Sequence, residues 1–264
     1  MDLATILGLI GAIMIVVVVM IMDGGSPVEL VTHPAAILLT AGGSLMATFI
    51  TTSMKNFLLI PKLIGIAFKE THYGEEEAIE TLARMADKAR REGLLALEEE
   101  SKKIKDPFLQ KGIMLVVDGV DPAQVKAILE TQIYHMQERH AANYSLFNQA
   151  GGFAPTFGII GTVMGLISVL KELDNPAKLA TSIAAAFLAT LWGLLSSNLV
   201  YLPLGAKLKT KDGHEAAYRN LLLEGILSLQ SGENPRIVRE KLQAFLPPSV
   251  AAKAAAAEKG KAQA

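Results

Sequence analysis

The stretch Ala141 to Leu170, AANYSLFNQAGGFAPTFGIIGTVMGLISVL, runs without a single Asp, Glu, Lys or Arg. Three other stretches share that property: Leu3–Met22, Val31–Met54 and Leu179–Ala206. Each reaches the roughly 20 residues needed to cross about 30 Å of hydrocarbon. Lipid offers no hydrogen-bond partner to exposed backbone, so apolar stretches of this length must be helical. The expected fold class is all-α: a polytopic membrane protein with four transmembrane helices and a helical cytoplasmic domain between spans two and three.

Composition agrees with that division. Hydrophobic residues make up 51% of the chain, whereas charged residues make up 19% and gather outside the four stretches. The formal net charge of -1 averages two unlike materials and carries no information about partners. No cysteine is present, which excludes disulfides, thiol nucleophiles and cysteine metal sites. Only Met1 and Asp2 precede the first apolar run, which lacks the positive flank of a signal peptide and reads as a retained span. Basic residues set the orientation: 13 Lys and Arg lie between Ser53 and His140 and 10 follow Ala206, while the connection Asp23–Leu30 has none. Both charged segments, and with them both termini, are therefore expected in the cytoplasm. The implied divisions are residues 1–54 (spans one and two), 55–140 (a cytoplasmic helical domain), 141–206 (spans three and four) and 207–264 (C-terminal helices and a disordered tail).

Helix signals punctuate the polar regions. In EEEAIETLARMADKARREG, Ala78, Leu82, Met85 and Ala89 recur at helical spacing, acids crowd the first turn, bases the last, and Gly93 ends the run. Asp106–Pro107, Asp121–Pro122 and Asn234–Pro235 are helix starts. No strong breaker interrupts the chain between Pro122 and Gly151, so one long helix is expected to lead into span three. Phe108, Gly112, Ile113 and Val116 share one face, and Leu221, Leu222, Ile226 and Leu229 another. No strand alternation is found.

In span three, Pro155 removes a helical hydrogen bond and leaves a carbonyl near position 151 without its donor. Gly151, Gly152, Gly158, Gly161 and Gly165 strip bulk from one side, the last three for helix packing, and Thr162 stands between Gly161 and Gly165. Span four supplies Thr190 near its middle and Pro203 toward its cytoplasmic end. Ser197 and Asn198 read as interhelical glue. Carrying a cation through hydrocarbon normally requires an intramembrane carboxylate, and none of the four spans has one. A path here needs an acid from another polypeptide. The five histidines show no metal-ligand spacing, and there is no phosphate loop and no nucleophile beside a base. No metal, no cofactor and no enzyme activity are expected.

GGFAPTFGIIGTVMGLISVL, the DNPAK connection and LATLWGLLSSNLVYLPLGAKL resemble the last two spans of the flagellar stator A subunits, the MotA/PomA family. MDLATILGLIGA, MADKARREGLLALEEE and EGILSLQSGENPRIVREKL resemble it as well. The resemblance implies a homo-oligomeric ring, expected as a pentamer, in the bacterial inner membrane. That ring surrounds a dimer of B-type subunits (MotB/PomB) whose single spans bear the ion-carrying aspartate. It also implies that passage of Na+ or H+ turns the ring against the rotor protein FliG. Pro155 and Pro203 match the family prolines linked to conformational change, and Thr162 and Thr190 match threonines beside the B aspartate. Thr162 within IGT resembles the sodium-driven members, where proton-driven members tend to have a small apolar residue, and this resemblance favours sodium; a hydroxyl can replace a water in a sodium shell. Ala189 before Thr190 departs from the paired threonines of many sodium-type members. Arg90, Arg91, Glu98 and Glu99 match the charged rotor contacts; read from the residues alone, such a run is a solvated face.

Two other readings stand beside this one. A TolQ/ExbB-like proton-driven energiser shares the logic of the last two spans but usually has three spans and an outside N-terminus. In a non-conducting structural scaffold, all the glycines and hydroxyls serve packing.

Overall fold

The computed structural model describes residues 2–171, 174, 176–248 and 250. The expected disordered tail, Ala251–Ala264, lies outside these residues, as do Glu172, Leu173 and Asn175 of the connection between Lys171 and Lys178. The described residues are all helix, turn or irregular chain, with no strand among them.

Helix α1 is Leu3–Met22, capped by the Asp2 carboxylate, which accepts the Thr5 N–H at 3.1 Å. After a turn at Glu29–Thr32, α2 is Pro34–Ile50, with a π-turn at Leu38–Gly42. Pro34 forces this late start. Its ring disfavours helical geometry at the preceding residue, and His33 sits at φ −115°, ψ 71°. The second uncharged stretch thus yields a shorter helix than its length suggested. Among the described residues three helical segments are long and apolar enough to cross a membrane: Leu3–Met22, Pro122–Lys171 and Lys178–Gln230.

Helix α3 is Ile60–Phe68, α4 Glu75–Glu92, α5 Leu97–Ser101, α6 Pro107–Val117 and α7 Pro122–Lys171. Helix α8 is Pro176–Leu195, a second π-turn spans Ser196–Tyr201, α9 is Leu202–Gln230 and α10 is Pro235–Gln243. The Asp-Pro and Asn-Pro starts act as read. Asp106 accepts the N–H groups of Phe108 and Leu109 at 2.8 and 2.9 Å, Asp121 that of Ala123 and Asn234 that of Arg236. Gly93 ends α4 at φ 84°, a conformation that suits glycine.

The chain divides into two compact units. One comprises Met1–Thr71 and Arg139–Lys211, the other His72–Glu138 and Asp212–Ala264. In the first, Leu63 and Ala67 of α3, Leu146, Phe147, Ala150 and Ala154 of α7, and Tyr201, Leu204 and Leu208 form a core. Helix α1 buries no side chain and is apolar around its whole circumference, as suits a helix facing lipid or another chain.

In the second unit, Ala78, Leu82 and Met85 of α4 pack with Phe108, Ile113 and Val116 of α6. Leu221, Leu222, Ile226 and Leu229 of α9 and Val238 and Leu242 of α10 complete that core. The helical faces read from spacing are therefore the buried ones; Ala89 is partly buried at the margin. Truncating a fully buried leucine such as Leu82 would cost about 2–5 kcal/mol. Arg239 fixes α10 to α4 with two hydrogen bonds to Glu80, at 3.1 and 3.0 Å.

Candidate functional site

Within the first unit, α7 and α8 cross with almost no side chain between them. A Cβ on Gly158 would stand 3.0 Å from the Cα of Thr190, and one on Gly193 would stand 2.7 Å from the Ala154 carbonyl oxygen. Gly161 faces Ala189, and Gly165 lies against Ala186, whose Cα would be 2.9 Å from an added Cβ. Gly158, Gly161 and Gly165 are thus contact points of a single crossing, whereas a Cβ on Gly152 would meet nothing within 4 Å and one on Gly151 would meet Leu202. Gly193, absent from the expected set, makes the crossing's tightest backbone contact. Its sequence signal is the row of small residues Ala186, Ala189, Gly193 and Ser197, spaced to share one face of a helix.

This close approach brings Thr162 and Thr190 together. Their hydroxyls hydrogen-bond each other. The Thr162 Oγ1 also lies 3.1 Å from the Gly158 carbonyl oxygen and 3.3 Å from that of Ala186, and the Thr190 Oγ1 lies 3.3 Å from Gly158 O. Thr162 therefore bonds back to its own helix and across to its neighbour at once. Four oxygen atoms share two hydroxyl hydrogens, so lone pairs exceed protons. Such a cluster can accept a cation or a proton donor, but it has no group that changes charge itself. A cavity of about 430 Å³, lined in part by His33, Pro34, Leu39, Gly161, Gly165 and Ala189, opens beside the crossing.

Pro155 lies within α7 and cannot donate to the carbonyl of Gly151. That oxygen accepts instead from the buried hydroxyl of Ser197, at 2.7 Å. The sequence pointed to a freed carbonyl at this position; the donor had been given only a packing role. Pro203 is the second residue of α9, separated from the π-turn Ser196–Tyr201 by Leu202. The wider turn shifts the hydrogen-bond register just before a residue that cannot donate, with the Leu202 N–H reaching the Ser197 carbonyl. Tyr201 closes a further link. Its hydroxyl donates to the Ala41 carbonyl at 3.3 Å and accepts from Ser44 at 3.4 Å. Ala41 belongs to the other π-turn, so the two irregular turns meet; single π-bulges are frequent at functional sites. Trp192, read as too deep for a belt residue, donates its indole N–H to the Leu30 carbonyl at 2.8 Å.

The charged set lies in the second unit. Arg90 and Arg91 occupy the last turn of α4, and Glu98 and Glu99 the first turn of α5. Arg91 pairs with Asp87 at 3.0 Å, and Lys102 reaches Glu98 at 3.4 Å and Glu99 at 2.9 Å. The Lys102 hydrogen bond and charge hold the Glu99 carboxyl below its ordinary range. Arg90 is exposed and makes no ion pair among the described residues. Ser101, which follows the acidic run, is fully buried and donates to the Glu98 carbonyl at 2.7 Å.

Residues 6–93 match the family described as Motility protein A N-terminal, and residues 100–221 match the MotA/TolQ/ExbB proton channel family. The chain is 38% identical to the chemotaxis protein PomA of Vibrio alginolyticus over 93% of its own length and 96% of that protein's. It is 37% identical to motility protein A of Bacillus subtilis over 100% of its length and 97% of the relative's. The solved C. jejuni MotAB structure superposes with a TM-score of 0.89 at 32% identity, covering 94% of this chain and 97% of that one. The flagellar MotAB stator complex from Bacillus subtilis superposes at 0.88 and 36% identity, with the same coverage. This is a family of ion-channel subunits, not of enzymes. The chain belongs to the MotA/PomA family of flagellar stator A subunits, within the wider MotA/TolQ/ExbB group.

Proposed function

We propose that this chain is the A subunit of an ion-driven flagellar stator in the bacterial inner membrane, taking Na+ in preference to H+. It crosses the membrane four times with both termini in the cytoplasm, α2 serving as a short second span with its flanking turns. It assembles as a pentameric ring around a dimer of B-type subunits. The divisions at residues 1–54, 55–140, 141–206 and 207–264 correspond to the first hairpin, the rotor-facing domain, the ion-path hairpin and the C-terminal helices.

The observation that carries this reading is the Thr162–Thr190 hydroxyl pair over the Gly158 carbonyl, in spans that contain no carboxylate. Hydroxyl and carbonyl oxygens can complete the shell of a partly dehydrated sodium ion. The counter-charge must arrive on the B subunit, whose aspartate binds and releases the ion beside this pair. Each event repacks the tight α7–α8 crossing and changes the bend at Pro155 and Pro203. Because α7 runs without interruption from Pro122 to Lys171, a changed bend at Pro155 moves its other end. The ring then turns against FliG through Arg90, Arg91, Glu98 and Glu99. The match of residues 6–93 to the motility protein A N-terminal family supports a stator over a TolQ/ExbB-like energiser.

Rotation of tethered cells, followed against sodium concentration at fixed proton motive force, tests the ion assignment. Speed is expected to rise with sodium and saturate. Speed indifferent to sodium would remove the sodium assignment and leave a proton-driven stator.

A further inference from the structure

A serine inside an α-helix ordinarily donates to the carbonyl four residues back. Both polar neighbours of Ser197 do so: Ser196 bonds Trp192 O at 2.6 Å and Asn198 bonds Leu194 O at 3.0 Å. Ser197 alone of the three reaches to another helix, and its single hydroxyl proton goes to Gly151 O at 2.7 Å. That acceptor is the carbonyl that Pro155 leaves without an N–H. Both partners are buried in a helix crossing, where water cannot replace a lost donor. The same serine holds the other irregularity: its backbone carbonyl accepts the Leu202 N–H across the π-turn that precedes Pro203.

We infer that Ser197 is a positioning residue that ties the two proline breaks into one unit, its hydroxyl standing in for the N–H missing at Pro155 and its carbonyl anchoring the turn before Pro203. A change of bend at Pro155 withdraws the Gly151 carbonyl from Ser197 and so reaches the π-turn directly. Ser197 does not touch the ion. Gly151 lies about 10 Å along α7 from Gly158, at 1.5 Å per residue, and Ser197 is only 2% exposed. The inference rests on the stator reading for its motor role, but the bond itself can be tested without ions.

The test is a double-mutant cycle on the full chain assembled with its B-type partner. Ser197→Ala is expected to lower the apparent unfolding temperature by several degrees when residue 155 is proline. Pro155→Ala restores a backbone N–H able to reach Gly151 O, so in that background Ser197→Ala should shift the midpoint little. Ser197→Cys keeps the shape but donates weakly, and should follow Ser197→Ala. Equal shifts in both backgrounds, or no shift from either Ser197 variant when residue 155 is proline, would overturn the assignment.

In rotating cells, Ser197→Ala is expected to reduce maximal speed several-fold while the sodium concentration for half-maximal speed stays put. A displaced half-maximal concentration at unchanged maximal speed would overturn the positioning role in favour of a direct ion contact. Normal swimming by Pro155→Leu and Thr162→Ala cells would overturn the stator reading instead, and the unfolding cycle would still decide the bond.

Discussion

A methyl group on Gly193 would stand 2.7 Å from the carbonyl oxygen of Ala154 and 3.0 Å from the Cα of Gly158, so α7 and α8 meet backbone to backbone at this point. No side-chain rotation can relieve such a contact. Gly193→Ala should therefore separate the helices, at a cost of about 1–3 kcal/mol, and pull Thr190 away from Thr162. Gly152→Ala is the matched control, because a Cβ there meets nothing within 4 Å. Unfolding midpoints of the two variants in detergent should differ by several degrees, with Gly152→Ala at or above the parent. Equal midpoints would mean that the crossing gives way more easily than its geometry implies.

Thr162 and Thr190 share one hydroxyl–hydroxyl contact and one carbonyl, so their effects should not add. Valine replaces each threonine at nearly constant shape while removing the oxygen. Losing one hydrogen bond of about 0.5–1.5 kcal/mol corresponds to roughly a two- to tenfold rise in the ion concentration for half-maximal speed. The double Thr162→Val, Thr190→Val variant should rise by less than the product of the single changes. Strict multiplicativity would show that the hydroxyls act independently.

The sequence revealed the polar helices better than the membrane-embedded ones, and the physical reason is visible in particular residues. Asp106, Asp121 and Asn234 cap helices by contacts two or three residues away, and Leu82 or Ile226 turn inward on a helical period. These are local rules that a linear chain displays. In the spans nearly every residue is apolar, so periodicity has little contrast. The π-turns at Leu38–Gly42 and Ser196–Tyr201 went unread for that reason, whereas the late start of α2 is signalled locally by Pro34 and is missed when the uncharged stretch is read by its length. Pro155 exposed the need for a donor to Gly151, and Ser197, four residues after Gly193, lies on the face turned to α7, but the pairing of these two groups depends on how closely the helices approach. Thr162 and Thr190 could be nominated separately; their bond depends on the missing side chains of Gly158 and Gly193.

Arg90 differs from its charged neighbours in having no ion pair among the described residues, whereas Arg91, Glu98 and Glu99 are each held by a local partner. An unpaired exposed cation needs no internal bond broken before it meets a carboxylate on another protein. Arg90→Glu should therefore reduce torque more than Arg91→Glu, with the gap narrowing as ionic strength rises. Lys102→Gln should free Glu98 and Glu99 and let the Glu99 carboxyl return toward its ordinary range. Bead-assay torque at matched stator number checks the ranking. Equal torque in Arg90→Glu and the parent would leave the patch as a solvated surface.

Asp2 stands at the head of α1, where its carboxylate pairs with Lys207 and accepts the Thr5 N–H. The Lys207 hydrogen bond, followed by the backbone hydrogen bond from Thr5, lowers its pKa from 3.8 to about 2. A carboxyl whose folded pKa is depressed binds its proton more readily when unfolded. Its contribution is thus complete above about pH 4 and is lost as pH falls toward 2. The Asp2 N–H also donates to the Phe68 carbonyl at 2.9 Å, so this end of α1 is tied to α3 as well as to α9. Acidification from pH 5 to pH 2 should release amide protection in the first turn of α1 while α2 keeps its protection. Asp2→Asn should show weaker protection already at pH 5 and a flatter profile across that window, measured by hydrogen exchange of the complex in lipid nanodiscs. An identical pH profile for the parent and Asp2→Asn would remove the Asp2–Lys207 pair as the source of the effect.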